Sequence, residues 1–190
     1  MRLELAEKRI FAAIMKKQII IYGSQYGSTK RYAERLAEMT GMEAFDYEKV
    51  KSIDDYDRIV YFGALCAGGV MGLKKTVSRM APGQELVIAT VGVTDPNEQS
   101  YYEGIRKAIK AQLPAGLYDE KNIFHLRGAI DYAQLGFKHR IMMKMFHSMM
   151  LKKSESELTA DAKAMLETFG KKVDFVDFDA LQAIVEIVKA

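Results

Sequence analysis

Apolar residues follow two rhythms along this chain. Short, nearly continuous runs mark strands at residues 18–22, 42–47, 58–65, 85–93 and 122–127; the third contains Ile59, Val60, Tyr61 and Phe62 in succession. Uninterrupted apolar runs of this kind belong to strands covered on both faces. Between them the spacing turns helical and predicts helices over residues 28–39, 73–80, 97–112, 136–151, 158–169 and 178–189. Pro82 and Gly83 stop the second of these. Asp95, Pro96 and Glu98 supply an N-cap, a first-turn proline and a capping-box acid for the third. Residues 53–56 read as a turn, and 66–72 as a glycine-rich irregular segment.

Strands alternating with helices predict an α/β fold with a parallel sheet and helices on both faces. In such sheets ligands bind beyond the carboxyl ends of the strands, where the strand order reverses. The loops after the first, third and fourth strands are therefore the places to look for chemistry.

With 190 residues, 49% of them apolar, the chain fits one domain with one core. Residues 1–14 read as a short amphipathic helical extension, with Leu3, Ile10 and Ile14 roughly on one side, ahead of a domain over 15–190. Glu4, Glu7, Lys8 and Arg9 interrupt any secretory apolar stretch, and no run is long enough to span a bilayer. Cys66 is the only cysteine, so an internal disulfide is excluded, and no Cys/His spacing suggests a metal site. A reducing, cytoplasmic setting is the expectation. The net charge of +3 is the balance of +5 on residues 136–153 and −2 on the remainder. No nucleic-acid module accompanies that basic stretch, so nucleic acid is not an expected partner.

The first loop carries Ser24, Gln25, Tyr26, Gly27, Ser28 and Thr29 between a strand and a helix. Its amides form a helix N-terminus, where unpaired N–H groups and the dipole favour an anion. Ser24, Ser28 and Thr29 add hydroxyl donors, and Gly27 lets the backbone turn close to a ligand. Rival phosphate loops fail on spacing. Gly23 and Gly27 are separated by three residues with no Gly-Lys following, which excludes a Walker A loop, and the dinucleotide fingerprint lacks its third glycine. A receiver domain would need acids where Ser24, Gln25 and Ala64 stand, and a Cys-x5-Arg phosphatase would need arginine in place of Gly72.

With Ser24, Gly27 and Thr29 in these places the loop resembles that of the flavodoxin family, although Tyr26 replaces a threonine. The resemblance implies a doubly wound five-stranded parallel sheet of order 2-1-3-4-5, a bound flavin mononucleotide (FMN) and electron transfer. It implies that FMN phosphate sits on residues 24–29. The ring would lie between Ala64, Leu65, Cys66, Ala67, Gly68 and Gly69 on one side and Gly92, Val93, Thr94 and Asp95 on the other. A peptide at Ala67, Gly68 or Gly69 would accept a hydrogen bond from the reduced ring. Neither ring loop holds an aromatic; Tyr26, Tyr101 and Tyr102 are within possible reach, with ordinary packing the simpler role. Cys66 reads as a buried apolar filler and Asp95 as a helix cap. The same features leave open a cofactor-free interaction module that keeps the fold.

About fifty residues separate Arg127 from the last helix, an insertion over roughly 128–175. Its opening stretch, with Arg127, Gly128, Asp131 and Tyr132, resembles flavodoxin-like protoporphyrinogen dehydrogenases, which pass electrons from a porphyrinogen to a membrane quinone. That resemblance offers Arg127, Asp131 and Tyr132 as candidates for substrate contact; a salt bridge and a packed tyrosine bracing the insertion is the alternative. The expected partner is a redox protein or a small-molecule or quinone substrate. The helix over 136–151 is basic and methionine-rich, and its apolar side is either core or, through residues 138–153, a contact with the inner face of the membrane.

Overall fold

The computed structural model describes residues 16–66, 68–95 and 99–190, without the side chains of 99–102 and 161. The predicted helix over 1–14, Ala67, the capping residues Pro96 and Glu98, and the side chains of Tyr101 and Tyr102 lie outside the described residues.

Strand β1 (Gln18–Gly23) pairs in parallel with β2 (Ala44–Asp46) on one side and β3 (Arg58–Cys66) on the other. Beyond β3 come β5 (Glu85–Gly92) and β6 (Ile123–Arg127), also parallel, giving the order β2-β1-β3-β5-β6. This is the doubly wound order 2-1-3-4-5 of the sequence reading. The strand of this sheet that it lacked is β4 (Gly69–Val70), two residues that fold back antiparallel on the end of β3. The segment expected to be irregular is thus a hairpin, in which Leu65 faces Val70 and Cys66 faces Gly69.

Alternate residues of each central strand go to opposite faces, and both faces are covered. Ile19, Ile21, Ile59, Tyr61 and Ile88 pack on α2 (Leu73–Val77) and α3 (Gln99–Lys110). On the other face Ile20, Val60, Phe62 and Val87 meet α1 (Ser28–Thr40) and the last helix, α6 (Gln182–Lys189). Helix α2 is shorter than its apolar pattern: its continuation tightens into i to i+3 bonds from the amides of Arg79 and Met80 before Pro82. The final helix opens as a 3-10 turn at Asp179–Leu181.

At the amino ends of the strands Arg58 is almost fully buried and ties three elements together. Its guanidinium donates to Glu85 Oε2 (2.8 Å) of β5, to Gln18 Oε1 (3.2 Å) of β1 and to the carbonyl of Ile187 (2.7 Å) in α6.

After β6 the chain makes an excursion through β7 (Ala129–Asp131), α4 (Phe137–Met150), α5 (Ala160–Thr168) and β8 (Lys172–Asp174). Strands β7 and β8 pair antiparallel, with Ile130 opposite Val173. Just past them the amide of Phe175 donates to the carbonyl of Gly128 at 3.1 Å. Among the described residues no helix is long and apolar enough to cross a membrane.

Candidate functional site

Strand register brings the loops of interest to one edge of the sheet. Gly23 stands beside Gly63, Ala64 beside Val91, and Gly92 beside Arg127. The segments that follow these residues therefore leave the sheet side by side, at its carboxyl edge. The strand order reverses between β1 and β3, so the first loop and the β3–β4 hairpin flank the switch point.

The first loop ends on Gly27, whose φ of 95° puts it in the left-handed region and lets the chain turn directly into α1. Its amide donates to Ser24 Oγ at 3.2 Å, and its carbonyl receives the amide of Arg31 at 2.9 Å, the first bond of the helix. Helix α1 has no side-chain cap, so the amides of Ser28, Thr29 and Lys30 have no intrahelical acceptor. Thr29 is 1% exposed, and its hydroxyl has no hydrogen-bond partner. A buried orphan hydroxyl costs about 1–3 kcal/mol unless something completes it. Here it stands beside a row of amides oriented for an anion.

Tyr32, one turn further on, fixes this helix to the far side of the edge. Its hydroxyl donates to the carbonyl of Arg127 and accepts from the amide of Asp177, both at 2.8 Å. Burial pushes its pKa up, so it stays a neutral phenol. Gly128 closes the same corner. Its amide donates to the Gly92 carbonyl at 2.6 Å, and a Cβ on it would come within 2.9 Å of Val91 Cγ1 and 3.1 Å of Ser28 Oγ.

The hairpin is held from two directions. Gln112, just past α3, receives the amide of Val70 at 2.8 Å and donates to its carbonyl at 3.1 Å. The Tyr61 hydroxyl donates to the carbonyl of Met71, and burial raises its pKa. Gly68 has a φ of 78°, which forms the turn. Cys66 is exposed, which corrects the expectation of a buried filler. Pairing with β5 ends at Ala64, so the last residue of β3 projects past the covered part of the sheet, with only the short β4 beside it.

In the loop after β5, Thr94 is buried and the carbonyl of Val93 receives Arg127 Nη2 at 3.3 Å. Asp95 Oδ2 lies 3.9 Å from Arg127 Nη1. The guanidinium stacks over the Phe175 ring, 3.8 Å from its centroid, so Arg127 links this loop to the return of the excursion.

The other two candidates, Asp131 and Tyr132, are engaged with residues of the excursion. Asp131 caps a short turn by accepting the amide of Ala133 at 2.9 Å, and it lies 3.8 Å from Lys172 Nζ across the β7–β8 pair. Tyr132 is buried edge-on against Phe169, and burial raises its pKa. Tyr26 reaches outward to the excursion, sharing a 2.8 Å hydrogen bond with His139 Nδ1 of α4. Gln112, Tyr61, Gly128, Phe175 and His139 all shape the site and were not singled out as site residues from sequence. Except for Tyr61, whose partner Met71 is 10 residues on, their partners are far away along the chain, 42 residues in the case of Gln112 and Val70, and local patterns carry no signal for such pairs.

The family model described as a flavodoxin domain matches residues 19–157. No curated protein matches the chain. Among solved structures, a putative flavoprotein from Bacteroides uniformis is similar at 14% identity over 73% of this chain and 99% of that one, with a TM-score of 0.48. A flavoprotein from Lactobacillus acidophilus, in complex with FMN, is similar at 13% identity over 59% and 91%, with a TM-score of 0.43. A flavodoxin variant from Fusobacterium nucleatum bound to flavin mononucleotide shares 14% identity over 60% and 77%, with a TM-score of 0.39.

Proposed function

The chain belongs to the flavodoxin domain family, and from that premise we propose that it binds FMN at the carboxyl edge of the sheet and carries electrons on it. The observation that carries this reading is Thr29, a buried hydroxyl without a partner at an uncapped helix N-terminus. A phosphate placed there would accept from Thr29, from Ser28 and from the first amides of α1, completing groups that otherwise remain unsatisfied.

When bound, FMN supplies reversible electron transfer at its isoalloxazine ring. The chain's own residues position and shield. Gln112 and Tyr61 hold the hairpin of residues 64–71 at one border of the ring site, and Arg127 holds Val93 at the other. Gly68 leaves the turn open to a flat ligand, because among the described residues outside its chain neighbours nothing lies within 4 Å of where its Cβ would be.

The test is direct. Protein purified and titrated with FMN should develop a bound-flavin visible spectrum, and it should bind riboflavin, which lacks the phosphate, more weakly. Thr29→Ala should reduce FMN affinity by about 1 kcal/mol, roughly fivefold, and leave riboflavin affinity unchanged. A colourless protein that takes up no FMN would overturn the proposal.

A further inference from the structure

Helix α4 is turned the opposite way from a helix that packs on a soluble core. The side facing the protein carries His139, Met143, His147 and Met150. His139 bonds Tyr26, His147 stacks on Phe169 with 3.8 Å between ring centroids, and Met150 is buried. These contacts fix the roll of the helix. The opposite side presents Phe137, Ile141, Met142, Met145, Phe146 and Met149 to solvent, with Phe137 76% and Met145 61% exposed. Six large apolar side chains contiguous on one helix exceed the scattered exposure normal for a surface.

Charge identifies what fits this face. Lys138, Arg140 and Lys144 lie on the helix, Lys152 and Lys153 follow it directly, and no acidic residue occurs from Gly136 to Lys153. A second copy docked through the same face would bring two such cationic sets together, which Coulomb repulsion opposes. An anionic bilayer matches both properties at once. Its acyl boundary accepts methionine and phenylalanine, and its headgroups neutralise the lysines, whose long stems reach from an embedded helix back to the phosphates. At 14 residues the helix is about 21 Å long, suited to lying in the plane of the interface.

We propose that α4 docks this protein on anionic lipid bilayers, with the Phe137, Ile141, Met145 and Met149 side immersed. The reading does not require FMN to bind, because the immersed side chains lie on the side of α4 opposite His139, the residue that joins the helix to the first loop.

Co-sedimentation of the full chain with vesicles tests it. Vesicles of phosphatidylglycerol and phosphatidylcholine at about 3:7 should bind the protein at least about tenfold better than pure phosphatidylcholine, and binding should fall as salt rises from about 50 to about 500 mM. The double variant Met145→Glu with Phe146→Glu, both exposed positions, should lose binding by about tenfold or more while keeping its far-UV circular dichroism and melting temperature. Lys138→Gln with Lys144→Gln should lose the preference for anionic vesicles. Protein that stays in the supernatant with anionic vesicles overturns the proposal, as does undiminished binding by the Glu double variant. A dimer in light scattering that the same variant dissolves would assign the face to self-association and overturn it equally.

Discussion

Gly23 and Gly63 stand opposite each other on β1 and β3, and the chain returning from the β3–β4 hairpin occupies the space where both of their side chains would be. A Cβ on Gly63 would lie 2.2 Å from Val70 Cγ1, and one on Gly23 would lie 2.4 Å from the Met71 carbonyl oxygen. The pair is therefore the seat on which the β3–β4 hairpin rests.

Gly63→Ala must push Val70 aside and is expected to destabilise the fold by about 1–3 kcal/mol. Gly23→Ala meets a backbone oxygen that also receives the Tyr61 hydroxyl, so it has less room to relax and should cost more. Urea denaturation of both variants checks the ranking; a Gly23→Ala protein as stable as the parent would refute the account.

Gln112→Leu keeps the volume of the side chain and removes both of its bonds to Val70, which is 1% exposed. The expected loss is about 1–3 kcal/mol. Hydrogen exchange should localise the change, with the Val70 amide exchanging at least about tenfold faster while amides in β1 keep their protection. Uniform acceleration across the sheet would show that Gln112 acts on global stability and not on the hairpin.

Arg58→Met addresses the other end of the sheet. Losing bonds to Glu85, Gln18 and the Ile187 carbonyl from a buried position should cost about 2–4 kcal/mol. Because Arg58 sits at the amino ends of the strands, FMN affinity measured below the unfolding transition should be unchanged. A parallel fall in affinity would contradict the separation of the two edges.

His125 makes stability depend on pH. Its Nδ1 lies 2.6 Å from Thr90 Oγ1, and burial, helped by the Arg106 charge, pushes its pKa down to about 4. The unfolded chain takes up a proton near pH 6.5, so below that value it binds protons that the folded state refuses. The contribution of neutral His125 is fully present above about pH 6.5 and is lost as pH falls toward 4, by at most about 1.4 kcal/mol per unit. Melting temperatures from pH 7 to 5 should decline in the parent, and the decline should be shallower in His125→Asn. Equal slopes would assign the acid sensitivity to other groups.

What was legible in the sequence was what local order encodes. Ile59 to Phe62 announced a doubly covered strand because such burial needs no alternation, and the Ser24 to Thr29 loop announced a tight turn into a helix because a glycine before a helix acts within a few residues. The hairpin escaped because β4 is two residues long and glycine-rich, a composition that reads equally well as coil. Strands β7 and β8 escaped because each is three residues and pairs across some forty positions. Ile141, Met142, Met145, Phe146 and Met149 of α4 have the right period for a buried stripe; only the contacts of His139 and His147 decide that they face out, while Met150 turns inward. Cys66 was misjudged because a strand can outlast the layer that covers it.

The hydrogen bond from Phe175 to Gly128 joins two residues that are neighbours in space although the whole excursion lies between them. The excursion therefore leaves and re-enters the sheet domain through a single doorway. Because closing a loop costs only slowly more as the loop lengthens, such a doorway tolerates a short turn or a helical annex with little difference to the sheet behind it. A helix added or exchanged at this place changes the surface the protein shows to its surroundings while the strand pairing behind it stays as it is.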